Sequence, residues 1–571
     1  MPKPIPPTSF ADIDAGLAAL NAAKQRFARL SVPERLHLLE AMADGVREVK
    51  EAWVEDGCAA KGIPRDSVTA GEEWLGGPMV TQRNLRLLRE SLEDVRDHGR
   101  PQLPDGAVRV ASNGQTVARV FPAGFYDKLL YMGFSAEIWM EPGVTPASLP
   151  DTMAEIYQRG SQAKGKVALV LGAGNVSSIG PMDVIYKLFA ENEVCILKMN
   201  PVNEYVGPHI EKAFRVLVEA DFLRVVYGGA EVGQYLCQHA LVETIHITGS
   251  DKTHDAIVWG APGPVQQENK RAGTPINTKP ITSELGNVSP VIIVPGPWTD
   301  ADLAFQAANI ASQVANNGSF NCNAAKCIVQ HAGWDRRNAL MDQVEATLRA
   351  APRRKAYYPG ADHRYDGFLA AHPEAKALGE RRDGVIPWTT IRNVPSTDRD
   401  NICFNTEAFC GVLAETTIEA ADPIDFLRKA VVFCNDTMWG TLNVSLIVHP
   451  SQEKDPAFRA ALEQAIADLR YGTVGVNHWP ALGYAFCTTT WGAYPGHPLD
   501  DIRSGRGVVH NTYLFGKPQK SVVRGPFRVN PKPPWFVTNK NTHNIAPRAT
   551  EFERAPSVFK LPGLMFAAMK G

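Results

Sequence analysis

One cysteine stands between two glutamates in an order that suggests covalent chemistry. Glu284 lies in S-E-L-G-N-V-S-P (283–290), Cys322 in N-N-G-S-F-N-C-N-A-A-K (316–326) and Glu407 in T-E-A-F (406–409). Asn175, in L-G-A-G-N-V-S-S (171–178), precedes all three and is followed by Lys198 at the end of V-C-I-L-K. A cysteine thiolate is strongly nucleophilic even when only partly ionised. An amide beyond the C-terminal edge of a sheet can donate to a developing oxyanion. A carboxyl group in a poorly solvated pocket can serve as a base near neutral pH. Together these are the parts needed to oxidise an aldehyde through a thioester.

The elements that must hold these residues follow from hydrophobic periodicity. The first hundred residues read as helices: Ser31-Val-Pro-Glu34 has capping-box spacing with Pro33 in the first turn, and Leu36, Leu39, Met42, Val46 and Val49 share one face. From about 165 the chain alternates short β-rich runs (167–171, 194–197, 223–227, 244–248) with helical ones (181–190, 204–220). That alternation implies a parallel sheet covered on both faces. A second series starts at P-V-I-I-V (290–294), with a helix capped by Thr299 and ended near Gly318, then strands at 327–330, 444–449 and 473–477. The expected division is a first domain over 1–284, interrupted by a segment at about 106–165, a second over 285–485, and a return segment with a C-terminal extension over 486–571. Residues 106–165 and 497–545, rich in Pro, Gly and aromatics, read as hairpins or contact segments.

Composition excludes several classes. A chain of 571 residues and 62.3 kDa exceeds one core. With 59 basic and 61 acidic residues interspersed, no basic stripe points to nucleic acid. No apolar run is long enough for a membrane span, and M-P-K-P-I-P-P lacks the apolar stretch of a secretion signal. Nine cysteines with no C-x-x-C pair read as reduced thiols, so the expected location is cytoplasmic. The fourteen histidines show no H-x-x-x-H pair with acidic neighbours, and no metal site is expected. Cys327 reads as a structural strand residue.

V-A-L-V-L-G-A-G imitates a dinucleotide loop, but the third glycine of G-x-G-x-x-G falls on Ser177, and the next strand ends on Lys198 where that motif wants an acid. A simple Rossmann reading fails on both points.

Taken in order, S-V-P-E-R-L-H-L-L (31–39), G-N…V-C-I-L-K (174–198), G-G-A-E-V-G (228–233), S-E-L-G-N-V-S-P, N-N-G-S-F-N-C-N-A, E-A-F (407–409) and Y-G-T-V-G-V-N (471–477) resemble the aldehyde dehydrogenase superfamily, over roughly 15–515. The resemblance implies an α/β fold with a Rossmann-like cofactor domain, an α/β catalytic domain, and a bridging hairpin that pairs subunits into homodimers or homotetramers. It implies NAD as cofactor, with NADP possible, and a small-molecule aldehyde as partner. Cys322 would attack the aldehyde, the Asn175 amide and the Cys322 N–H would hold the oxyanion, and Glu284 would activate water to hydrolyse the thioester. Lys198 would hydrogen-bond the adenosine ribose, Gly249 and Ser250 would meet the pyrophosphate, Glu407 the nicotinamide ribose and Phe409 the nicotinamide. Asn200, Gly229, Gly233 and Leu285 would complete the dinucleotide site.

Several positions depart from the family pattern. Ala173-Gly174 replaces a Pro-Trp pair, which is expected to leave space beside Asn175. Met199-Asn200-Pro201 replaces an acid that reads the ribose 2′-hydroxyl, which leaves NADP open. His254 stands for a glycine, Asn287 for the second glycine of E-L-G-G, and Gly318 lies one residue farther from Cys322 than usual. Insertions near 122–163 and 260–279 and the tail beyond 530 have no counterpart. Two other readings stay open: a CoA-acylating dehydrogenase or acyl-CoA reductase on the same cysteine, which has no need of Glu284, and a non-catalytic scaffold on this fold.

Overall fold

A computed structural model describes residues 3–382 and 384–571. The helical opening follows from its capping chemistry. Ser31 and Glu34 form a reciprocal capping box with Pro33 in the first turn, and the helix Val32–Lys61 ends on left-handed Gly62. Its apolar face, with Leu39, Met42, Val46 and Trp53, packs on the first core.

The two strand series form two sheets. A six-stranded sheet has the order Gly505–Arg506, Ile281–Leu285, Thr244–Gly249, Lys166–Leu171, Glu193–Lys198, Leu223–Val226. Its last five strands are parallel, because each is joined to the next by a helical crossover. The outer strand Gly505–Arg506 is antiparallel and pairs Gly505 with Glu284. There the backbones approach so closely that a Cβ on Gly505 would stand 2.0 Å from the Ser283 carbonyl oxygen.

The second sheet has eleven strands. Its centre holds Thr473–Val476, Asn443–Ile447, Ser289–Ile293, Ala325–His331 and Val412–Ile418, all parallel. The segment expected to interrupt the first domain contributes Val108–Val110, Thr116–Phe121 and Ser135–Met140 to this sheet, joined to its centre by Pro518–Arg524. The helix Asp300–Ala315 begins with a second capping box, Thr299 with Asp302. After it, Asn317, Gly318 and Ser319 are all left-handed, and this tight coil absorbs the longer spacing before Cys322.

The C-terminal extension folds back on the N-terminal helices. Thr542–Arg554 brings Glu553 to the buried Arg83, whose guanidinium also pairs with Asp127. Removing one carboxylate from such a cluster leaves charge uncompensated. No described helix is long and apolar enough to cross a membrane.

Candidate active site

A cleft of about 1150 Å³ runs along the C-terminal edge of the six-stranded sheet to the start of the second sheet. Eleven of the twelve residues singled out in the sequence line it: Asn175, Lys198, Asn200, Gly229, Gly233, Gly249, Ser250, Glu284, Cys322, Glu407 and Phe409. Leu285 does not; it is fully buried at the end of its strand, with its N–H donated to the Ser504 carbonyl.

Cys322 is set by the coil after Ala315 and by its own carbonyl, which accepts from Ser289 Oγ (3.2 Å) and Asn443 Nδ2 (3.3 Å). Its thiol faces the Glu284 carboxyl, which the Trp491 indole also approaches. Burial, then the neighbouring Asp183 charge, pushes the Glu284 carboxyl up to about 8, against the contacts with Cys322 and Trp491 that pull it down. Burial, then Glu284, pushes the Cys322 thiol well up. Burial thus favours the neutral thiol beside a carboxyl poised near neutrality.

The Asn175 amide donates one N–H to the Phe320 carbonyl at 2.9 Å, which orients the group and leaves its second N–H uncommitted. The Asn175 carbonyl accepts from Asn317 Nδ2 (2.9 Å), Lys61 Nζ (3.0 Å) and Tyr357 OH (3.1 Å). Lys61 is itself buried, and also binds Glu73 Oε1 (2.8 Å) and Asn317 Oδ1 (3.0 Å). One ammonium therefore ties the loop of the amide to the loop of the thiol. Glu72 adds to the tie: its Oε2 accepts the Asn317 N–H at 3.0 Å and pairs with Arg354 at 2.6 Å. Nothing in A-A-K-G (59–62) signals this role.

The space expected beside Asn175 is filled. A Cβ on Gly174 would lie 2.7 Å from Asn200 Oδ1 and 2.9 Å from Val202 Cβ. Glycine here serves close packing of the Met199-Asn200-Pro201 turn, in which Asn200 Oδ1 accepts the Val202 N–H at 3.0 Å. Asn287 is a buried staple: its side-chain amide donates to Asn443 O (2.8 Å) and Ser289 Oγ (3.1 Å), and its backbone N–H donates to Glu407 Oε1 (3.2 Å). Glu407 lies so close to Gly286 that a Cβ there would stand 2.1 Å from its Oε2. Burial raises the Glu407 carboxyl to about 7, opposed by Lys326. Phe409 sits at φ 41° with its ring against Tyr358 (centroids 4.9 Å).

At the other end of the cleft, burial lowers Lys198 while the Glu204 charge opposes the shift. The carboxyl of Glu204 is turned to the Ile5 N–H at 3.0 Å. Ser250 caps the helix Asp251–Trp259, its hydroxyl oxygen accepting from the Thr253 N–H at 3.2 Å. Gly229 and Gly233 have open space where a Cβ would be. The insertion at 260–279 forms a wall here through Gly260, Pro262, Ile276, Asn277 and Lys279. Sequence reasoning missed that wall, because its short helix Pro264–Ala272 carries no cleft-facing signature.

Residues 167–360 match the model of the aldehyde dehydrogenase family. Over 115 residues the chain is 35% identical to 4-trimethylaminobutyraldehyde dehydrogenase of Bos taurus and to that of Homo sapiens. Each match covers 20% of this chain and 20% of the relative, so the chain spans about a fifth of the length of the curated relatives it matches. Among solved structures, an aldehyde dehydrogenase of Physcomitrella patens in complex with the reaction product succinate is similar with TM-score 0.61 and 16% identity over 91% of both chains. The NADP-dependent glyceraldehyde-3-phosphate dehydrogenase of Bacillus halodurans, complexed with NADP, gives TM-score 0.61 and 18% identity over 91% of this chain and 92% of that one. At those identities the likeness is one of fold. Residues 167–360 thus carry the family match, within a fold that most of the chain shares with solved aldehyde dehydrogenases.

Proposed function

We propose that this protein oxidises an aldehyde to a carboxylate through a thioester on Cys322, with NAD or NADP as hydride acceptor. The observation that carries the reading is the Cys322 thiol facing the Glu284 carboxyl in the cleft that Asn175, Lys198, Gly249 and Glu407 also line. Glu284 takes the thiol proton, and the sulfur adds to the aldehyde carbon. The free N–H of Asn175 and the Cys322 backbone N–H hold the oxyanion; one such donor is worth roughly 3–4 kcal/mol. The chemistry a bound dinucleotide supplies is hydride acceptance, which leaves a thioester on the sulfur. Glu284 gives up the thiol proton to solvent. Ionised again, it removes a proton from water as the water oxygen attacks the thioester. The C–S bond breaks, and Cys322 regains a proton from the product acid, which leaves as carboxylate.

The cleft residues suit the dinucleotide. Its volume exceeds that of most small-ligand pockets. Gly286 leaves just the room that the Glu407 carboxyl needs to approach a ribose. Lys198 and Asn200 line the cleft, an ammonium and an amide where the family pattern would place an acid. That charge pattern supports acceptance of a ribose 2′-phosphate as well as a 2′-hydroxyl. One screen tests the reading and the substrate class together: purified protein with NAD and with NADP against short aliphatic, long aliphatic and aromatic aldehydes, with and without CoA. Carboxylate formed without added thiol supports the reading; acyl-CoA as the sole product, or turnover unchanged in Cys322→Ala, rejects it.

A further inference from the structure

Behind Glu284, away from the thiol, lies a buried polar ladder that the reaction outlined above does not use. In the parallel pair of strands Thr244–Gly249 and Ile281–Leu285, Thr248 stands opposite Glu284 and His246 opposite Thr282. Paired residues, and residues two apart on one strand, share a face of the sheet. Glu284, Thr282, Thr248 and His246 therefore project to the same side. Asp183, on the helix Ile179–Glu191, packs against that side and is 1% exposed. Its Oδ2 accepts from Thr248 Oγ1 at 3.0 Å and lies 3.4 Å from His246 Nε2. The other imidazole nitrogen, Nδ1, is 2.9 Å from Thr282 Oγ1.

Two carboxyl oxygens in this ladder are buried and have no partner among the described residues: Glu284 Oε1 and Asp183 Oδ1. The Asp183 charge raises the Glu284 carboxyl. Orphaned buried oxygens call for a shared proton or an ordered water between them. Thr282, at the far end, is half-buried, and a Cβ on the exposed Gly507 would touch its methyl at 3.1 Å. The ladder thus runs from the reacting carboxyl to the surface. Cys195, Tyr484 and His510 also face Asp183, all buried or half-buried, and the buried Lys187 one turn along the same helix is paired with Glu191 and Glu193.

We propose that Asp183 and His246 form a proton outlet for Glu284, carrying the proton taken from water during thioester hydrolysis through Thr282 to solvent. The proposal rests on the reading of the reaction given above. The balance closes without a co-reactant. A water O–H bond breaks, and the oxygen joins the acyl carbon as its bond to the Cys322 sulfur breaks. The thiolate takes the proton of the product acid, and the proton from water sits on Glu284. It moves to Asp183 and His246 Nε2, while Nδ1 releases a proton to the Thr282 hydroxyl, which passes one to water. Asp183, His246 and Thr282 act through Glu284 and are positioning residues.

The experiment compares Asp183→Asn, His246→Gln and Thr282→Val with the unmodified protein, in two readouts. The first needs no aldehyde: the rate of Cys322 alkylation by iodoacetamide across pH. Removing the Asp183 charge should move its midpoint down by about one pH unit, since a like charge no longer opposes Glu284 ionisation. The second is a rapid-mixing record of NADPH formation. The burst should persist while later turnovers slow about tenfold or more, in Thr282→Val as well, whose shape and half-buried setting preserve the fold. An unmoved midpoint with undiminished turnover, or burst and turnover falling together, overturns the outlet. If the unmodified protein shows no burst with any aldehyde, the reading of the reaction fails, and the alkylation midpoint alone then decides whether Asp183 is coupled to Glu284.

Discussion

Replacing Lys61 with methionine tests whether one buried ammonium holds the amide loop and the thiol loop in register. In the intact protein, Lys61 Nζ binds Glu73 at 2.8 Å and the Asn175 carbonyl and Asn317 Oδ1 at 3.0 Å each, with both Lys61 and Glu73 out of solvent. Methionine matches the stem but leaves the Glu73 carboxylate buried without its cation, a loss of roughly 3–5 kcal/mol. The Asn175 carbonyl keeps Asn317 and Tyr357 as donors, so the charge dominates. A chain built on two large sheets with several separate cores makes a single unfolding free energy ill-defined, whereas local opening is measurable by amide hydrogen exchange. About 4 kcal/mol corresponds to exchange roughly a thousandfold faster in the segments 172–178 and 316–322. Adding Glu73→Leu removes the stranded charge and should recover most of that protection, because an apolar pair is often as stable as the ion pair it replaces. Exchange within a few-fold of the unmodified protein, or a double variant as labile as Lys61→Met alone, would refute the reasoning.

Other outcomes follow from the same geometry. A Glu284 carboxyl at about 8 should make thioester hydrolysis rise nearly tenfold from about pH 7 to about pH 9, since its ionised fraction goes from about a tenth to about nine-tenths. Glu284→Gln should flatten that profile, cut turnover by about 10²–10⁴-fold and slow the burst as well, because the same carboxylate takes the thiol proton, as read by pH-jump stopped flow. Asn175→Ala should slow acylation about 10²–10³-fold, with Cys322 alkylation nearly unchanged. Gly286→Ala would place a Cβ 2.1 Å from Glu407 Oε2 and displace that carboxylate. Dinucleotide affinity, followed by fluorescence titration, should fall about tenfold or more.

Local signals in the chain were strong wherever capping and periodicity set the structure. Ser31 with Glu34 and Thr299 with Asp302 mark helix starts from three-residue spacing alone, and both boxes form. The parallel strands were visible as apolar runs because burial on both faces removes alternation. The thiol, its base candidate and the amide were legible because their neighbours are unusual in type and order. What escaped was chemistry assembled from distant segments. Lys61 looks like a basic residue near an exposed helix end, yet it joins loops more than a hundred positions away. Asn443 and Ser289 fix the Cys322 carbonyl through ordinary polar side chains with no spacing cue. Asp183 sits in an apolar helix, where only the pairing of two strands shows what it faces. Leu285, expected at the dinucleotide site from the family resemblance, has its side chain buried in the core, as strand alternation after Glu284 requires.

The pairing of Gly505 with Glu284 bears on how the polypeptide matures. During synthesis the strand that carries the base emerges more than two hundred residues before its outer neighbour. Until residue 505 clears the ribosome, Ile281–Leu285 is an open edge with unpaired amides, the kind of template that invites intermolecular strand addition. The second sheet waits equally, since Pro518–Arg524 must slot between Thr473–Val476 and Ser135–Met140. Nascent chains released before that point would expose two incomplete sheets at once.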